Sequence, residues 1–253
     1  MIDTHAHIDF PDYKDDRDEV LSRARAVGVK RIVNIGCDLK SSQASVDLAN
    51  THADVFAAVG VHPHDAKYYN DQTEQKLREL ANNYKVVAIG EVGLDFYRDN
   101  SPRDQQRDAF VRQIALAKEL GLPLVVHIRN AYPEALDMLA AERAYEGAVV
   151  LHCFSGTRQE AVRAVDYGYF LSVGGVLTFT SSRLPEVLAE LPLESILLET
   201  DSPFLAPHPH RGTRNQPALI ELVYRKLAET LKRDFAEVEQ EIDQNAERFF
   251  EFE

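Results

Sequence analysis

The chain has very little cysteine. Its 253 residues include only Cys37 and Cys153, and their distance in sequence gives neither a disulfide framework nor the paired spacing of a zinc ribbon. They read as two buried thiols of a reducing cytosol. No apolar run approaches the ~20 residues that span a bilayer. The N-terminal stretch carries Asp3, His5 and His7 where a secretion signal needs basic and then apolar residues. These absences predict a cytoplasmic protein without membrane association. A glycine-rich phosphate turn after the first apolar run is missing too, and histidines occupy its place. Low-complexity tracts, linkers and solenoid-length repeats are absent.

Positive charge is also scarce. With 28 Lys and Arg against 41 Asp and Glu, the net charge is −13, which ordinarily argues against a polyanionic partner. The excess is local, however. Residues 234–253 contribute −7 and residues 1–20 contribute −5, leaving −1 for the other 213. A mouth built away from the acidic C-terminal segment and loaded with cations can still attract an anion.

What is present is an alternation. Short β-branched runs at residues 1–7, 31–36, 55–61, 85–90, 122–127, 148–152, 169–173 and 195–200 are each followed by an amphipathic stretch, at 16–27, 41–52, 74–83, 102–120, 133–142, 157–167, 183–191 and 217–231. Thr157 with Glu160 reads as a capping box, Gly28 and Gly121 stand where helices end, and Pro102 suits a first helical turn. Strands apolar on both faces and joined by helical crossovers imply a parallel sheet. Eight such units predict an α/β fold of the (β/α)8 TIM-barrel type, one domain over residues 1–253, rather than a doubly wound open sheet. Residues 235–252 predict one or two extra C-terminal helices that pack Val238, Ile242, Phe249 and Phe250 against the outside of the barrel.

In such a barrel the C-terminal ends of the strands converge on one face, and that face holds the active site. His5 and His7, Glu91, His127, His152 and Asp201 all stand at expected strand ends. Residues two apart on a strand share a face, so His5 and His7 can reach one metal ion together. The set contains imidazoles and carboxylates but no thiolate, which favours Zn, Mn or Mg over an iron–sulfur centre. Two further His-x-His pairs, His62/His64 and His208/His210, enclose prolines and read as rim loops. No Ser or Cys triad is evident, so the set suits direct attack by metal-activated water without a covalent intermediate.

Seven ordered motifs sharpen this reading: DTHAH (3–7), GVHPH (60–64), GEVGLD (90–95), VHIR (126–129), LHCFSGT (151–157), ETDSPFLAP (199–207) and RGTRNQP (211–217). With them the chain resembles the TatD-type metal-dependent deoxyribonucleases of the amidohydrolase superfamily. The resemblance implies two divalent ions (Mg, Mn or Zn). His5, His7 and Asp201 would hold one, His127 and His152 the other, and Glu91 would bridge both. It implies that Asp201 accepts a proton from the attacking water, and that the substrate is DNA, as single strands or frayed ends, cut from 3′ to 5′. Thr213 and Gln216 replace the family's usual lysine and glutamate, and Asn130 replaces a common aspartate. All three lie outside the six ligands and change the charge around the mouth.

Around these ligands, His62 is expected to protonate the leaving oxygen or grip a phosphate. Asp95 is expected either to orient a ligand and bind substrate or to cap the segment that follows it. Arg129, Arg158, Arg211 and Arg214 are candidate phosphate clamps. Asn215 is grouped with the substrate residues, and with Pro217 it is expected to fix the loop and start the last barrel helix. Phe96, Tyr97, Phe154 and Phe204 either stack unpaired bases or close the core. Two other functions fit the same residues: hydrolysis of a small amide, lactone or phosphoester, and a non-catalytic nucleic-acid-binding module. No feature calls for an obligate protein partner.

Overall fold

The computed structural model describes residues 1–252. Eight strands, β1 (Ile2–Ala6), β2 (Arg31–Ile35), β3 (Val55–Val59), β4 (Val86–Asp95), β5 (Leu124–Arg129), β6 (Val149–Leu151), β7 (Phe170–Val173) and β8 (Ile196–Leu198), pair in sequence order. Every pairing from β1 through β8 is parallel. The ring closes between its first and last members beyond the end of β8, where Ala6 bridges Ser202, His7 N donates to Ser202 O at 2.8 Å and Asp201 N donates to His5 O at 2.9 Å. This is the expected eight-stranded barrel.

The crossovers are α1 (Arg17–Ala26), α2 (Leu39–Thr51), α3 (Asp71–Leu80), α4 (Arg103–Leu120), α5 (Tyr132–Ala141), α6 (Arg158–Asp166), α7 (Leu184–Leu188) and α8 (Ile220–Leu231), followed by α9 (Phe235–Phe250). Their ends follow local chemistry. Thr157 and Glu160 form the expected capping box of α6, and Asp38 with Ser41 forms another on α2. Gly121 takes φ +66° at the end of α4 and Gly28 takes φ +91° after α1, the left-handed backbone that costs other residues strain. Pro102 sits at the cap of α4 rather than inside its first turn. The stretch expected to be helical over 183–191 holds only the five residues of α7. Pro217 opens a 3-10 turn over Pro217–Leu219 before α8 begins.

The C-terminal segment departs from expectation in a way that matters for the barrel. It is one helix, and only its first half packs as foreseen, with Val238 and Ile242 joining the layer between helices and strands. Phe249 and Phe250 instead join Ile2, Val33, Phe56, Val125, Val150 and Leu197, the apolar filling of the barrel interior. The N-terminal end of a barrel exposes its lowest interior layer, and covering it removes apolar surface from water. The helix therefore plugs the bottom and leaves the opposite end as the open face.

Candidate metal centre

The open face gathers the six expected ligands. Because β4 runs through to Asp95, Glu91 lies inside the strand rather than at its end, and its side chain reaches the middle of the mouth. Its two oxygens face different partners. Oε1 lies 2.8 Å from His127 Nδ1, 2.8 Å from His152 Nε2 and 3.5 Å from His62 Nε2. Oε2 lies 3.6 Å from His5 Nε2 and 3.9 Å from His7 Nε2. Asp201 Oδ1 completes the second group at 3.8 Å from His5 Nε2 and 3.6 Å from His7 Nε2. Asp201 holds φ +54° and Cys153, beside His152, holds φ +45°. Backbone in this region is uncommon for non-glycine residues and clusters at functional sites.

Hydrogen bonds behind the rings set which nitrogen faces the centre. His7 Nδ1 lies 3.0 Å from Ile35 O, a pure acceptor, so Nδ1 carries the proton and Nε2 presents its lone pair. His152 Nδ1 likewise faces Glu199 Oε1 at 3.3 Å, and His127 Nε2 faces Asp95 Oδ2 at 3.3 Å. His62 is the reverse case. Its Nδ1 accepts from His64 N at 3.1 Å, which places the proton on Nε2, the atom turned toward Glu91. His62 can donate a hydrogen bond into the site but offers it no lone pair.

The charges are strongly coupled. Burial alone would raise the Glu91 carboxyl, yet the charge of His152 and hydrogen bonds from His127 and His152 hold it well below the usual carboxylate range. Burial opposes charge on His152 and His7 as well. It is outweighed by Glu91 and Glu199 at His152, and by Cys37 and Asp201 at His7, so both rise well above the ordinary imidazole value. His127 is raised too, because hydrogen bonds to Asp95 and Glu91 overcome its burial. For His62 burial prevails, pushing the ring well below its usual value and keeping it neutral.

These residues fit divalent cations. A tetrahedral shell about 2.1 Å from an ion spaces its ligand atoms about 3.4 Å apart. His5 Nε2 and His7 Nε2 are 3.2 Å apart, and His127 Nδ1 and His152 Nε2 are 3.4 Å apart. With neutral rings, either pair can turn two nitrogen lone pairs toward one cation. The donor set is nitrogen and oxygen, as borderline and hard divalent ions require.

Other expected site residues are less direct. Asp95 both holds the His127 ring and caps a turn. Its buried Oδ2 holds His127 and, at 2.8 Å, His64, while Oδ1 accepts Tyr97 N at 3.0 Å and Arg98 N at 2.8 Å. Asn215, expected among the substrate residues, is fully buried and donates to Thr200 O at 2.8 Å and Phe204 O at 2.6 Å. It braces the loop. Arg214 turns away from the centre to grip Asp16 at 2.6 Å and the Asp12 carbonyl, and Arg158 is paired with Glu190. Arg129 and Arg211 form no ion pair among the described residues and lie over the rings of Tyr97 and Phe179, each at 4.1 Å. Phe154 is buried against Tyr132 and Phe96 packs on the core, whereas Tyr97 and Phe204 stay exposed.

Three residues at the centre were not among the expected participants. Glu199, buried two positions before Asp201, holds His152 and accepts Cys153 N at 2.8 Å. His64 shares Asp95 with His127. Cys37, read as a bland thiol, lies 3.8 Å from His7 Nδ1 and 3.9 Å from Glu91 Oε2. It stands two residues beyond the end of β2, so the rule that selects residues at strand ends selects it as well.

An eight-stranded parallel barrel whose open face carries converging imidazoles around a central carboxylate defines a metal-dependent hydrolase. The family model described as TatD related DNase matches residues 2–251, and the chain belongs to that family. It is 39% identical over 251 residues to the uncharacterized metal-dependent hydrolase YabD of Bacillus subtilis, covering 99% of this chain and 98% of that protein. It is 37% identical over 257 residues to the 3′-5′ ssDNA/RNA exonuclease TatD of Cronobacter sakazakii, with 99% and 97% covered. The structure of a TatD homolog from Escherichia coli K12 superposes with a TM-score of 0.94 at 32% identity, covering 99% of this chain and 98% of the other.

Proposed function

We propose that this enzyme hydrolyses phosphodiester bonds of single-stranded or frayed DNA, removing nucleotides from the 3′ end, with one ion held by His5, His7 and Asp201, a second by His127 and His152, and Glu91 between them. The observation that carries the reading is the division of Glu91, whose two oxygens face two separate histidine groups. Two divalent cations, when bound, lower the pKa of a water and offset the negative charge that builds on the phosphorus oxygens.

The protein's own groups supply the remainder. Asp201, held below its ordinary pKa by His7 and the other histidines despite its burial, is ionised and can accept the proton of the attacking water. His62, neutral with Nε2–H pointing inward, donates a hydrogen bond to the leaving or a non-bridging oxygen rather than a full proton. Arg129, without a carboxylate partner among the described residues, is the better placed of the candidate clamps to hold a phosphate beside His127. The relatives named as 3′-5′ ssDNA/RNA exonucleases support a nucleic-acid substrate.

Residues 1–253 work as one barrel domain in this reading. The two free thiols at the centre suit a reducing compartment, and we place the enzyme in the cytoplasm. No helix among the described residues is long and apolar enough to cross a membrane.

The test is the product ladder from end-labelled single-stranded DNA, using metal-stripped protein resupplied with Mg, Mn or Zn. A ladder that requires metal, recedes from the 3′ end and vanishes in Asp201→Asn supports the proposal. A metal-loaded enzyme that leaves DNA intact while hydrolysing small esters or lactones would move the assignment to the small-molecule reading.

A further inference from the structure

Two exposed aromatic side chains stand on opposite walls of the mouth. Tyr97 follows β4 and is 57% exposed, and Phe204 follows β8 and is 50% exposed. In an eight-membered ring numbered in order, β4 and β8 are diametrically opposed. Glu91 and Asp201 come from these same two walls and lie between the rings. Water contact on this scale is costly for an aromatic face.

The backbone that carries each ring is held by a buried polar residue. Under Tyr97 this is Asp95, which accepts the backbone N–H groups of Tyr97 and Arg98 while its other oxygen holds His127. Under Phe204 it is Asn215, which donates to the Phe204 carbonyl, while Phe204 N donates to Asp201 O at 2.8 Å. The Phe204 loop also packs so closely on Gly175 that an added Cβ there would lie 1.9 Å from Leu205 O. Both rings thus sit on rigid turns, each tied to a residue of the metal centre.

Their surroundings differ from those of core aromatics. The Arg129 guanidinium lies 4.1 Å over the Tyr97 ring and that of Arg98 lies 5.7 Å away, so a flat surface and two cations without carboxylate partners among the described residues share one spot. Phe204 stands edge-on to His7, with ring centroids 6.2 Å apart, and to Phe10 at 6.1 Å. Half of its surface remains open to solvent.

We propose that Tyr97 with Arg129, and Phe204 with Phe10, form two nucleobase subsites that flank the scissile phosphate, one on each side of the metal centre. The proposal rests on the nucleic-acid reading above and adds what selects the substrate. Stacking on a protein ring requires an unpaired base, so the two platforms favour a single strand over a duplex without choosing among sequences. Arg129 would meet the phosphate next to the Tyr97 base.

The experiment compares Tyr97→Ala, Phe204→Ala and the conservative Tyr97→Phe and Phe204→Tyr with the wild type, all metal-loaded and matched for thermal stability. Two readouts are taken. The first is kcat/KM for a short single strand divided by that for the same strand carrying abasic residues on both sides of the cut, which keeps the phosphates and has no base to stack. The second is fluorescence quenching on binding of a 2-aminopurine oligonucleotide whose phosphorothioate linkages resist hydrolysis. Each alanine variant should lower the ratio about tenfold through KM and weaken quenching, and the conservative variants should restore both. Equal losses on both substrates, or oligonucleotide binding unaffected by alanine, overturn the proposal. So does wild-type protein that binds a blunt duplex as tightly as a single strand. If binding depends on Tyr97 and Phe204 but cognate DNA is never cut, the subsites stand and the nuclease reading falls.

Discussion

Asn215 offers a sharp test of how the mouth is built, because its substitutions separate a structural brace from a substrate contact. The side chain is fully buried. It donates to the carbonyls of Thr200 and Phe204 and accepts Gln216 N at 2.9 Å. Asn215→Ala removes three hydrogen bonds worth about 1 kcal/mol each and strands buried carbonyls, a loss of at least about 3 kcal/mol. For a chain of this length that corresponds to a fall in Tm of roughly 6 to 12 °C. Asn215→Asp is nearly isosteric yet turns an oxygen toward two carbonyl oxygens and buries a charge, so it should cost at least as much as alanine. Thr213→Val in the same loop removes one exposed hydrogen bond, to His210 O at 2.8 Å, and should change stability by no more than about 0.5 kcal/mol. Thermal and urea unfolding of the three variants provide the assay. An aspartate variant more stable than the alanine variant, or both within the range of Thr213→Val, would refute the brace.

Two other expectations concern the metal ligands. Glu199→Gln keeps an oxygen for the His152 Nδ1–H but removes the charge behind the ring, and should weaken metal binding about 10- to 100-fold with little loss of fold, as read by titration of metal into the stripped protein. Wild-type affinity in this variant would remove Glu199 from the site. Because His7, His127 and His152 hold protons more tightly than ordinary imidazoles when no ion is bound, metal must displace those protons. Affinity and turnover should therefore decline as pH falls, beginning above the ordinary imidazole pKa of about 6.5, with more than one proton released per chain on metal binding. A flat profile from pH 8 to pH 5 would contradict a histidine-held site.

Much of this arrangement was legible in the sequence because barrel geometry converts strand ends into a common site. His5, His7, Glu91, His127, His152 and Asp201 could be selected from hydropathy alternation alone, and the structure brings all six together. What escaped was whatever depends on side-chain direction. Arg214 and Arg129 look equivalent as residues of mouth loops, yet a nearby carboxylate on another element, Asp16, claims one and leaves the other free. Asn215 reads as a polar loop residue, and only its burial shows that it serves two backbone carbonyls. Glu199 was hidden because its neighbour Asp201 already explained the motif, and Cys37 because buried thiols are commonly inert. The helix over residues 235–250 was recognised from its apolar spacing, but no local pattern tells whether Phe249 and Phe250 cover the side of a barrel or its end.

The division of Glu91 between two histidine groups is tested most directly by counting metal. Stripped protein and its Glu91→Ala variant would be reloaded with zinc or manganese, freed of excess ion, and measured by elemental analysis beside their hydrolysis of single-stranded DNA. The wild type should hold two equivalents per chain, and the variant at most one, with turnover lost. One equivalent in the wild type, retained in full by Glu91→Ala, would contradict a carboxylate that serves two ions.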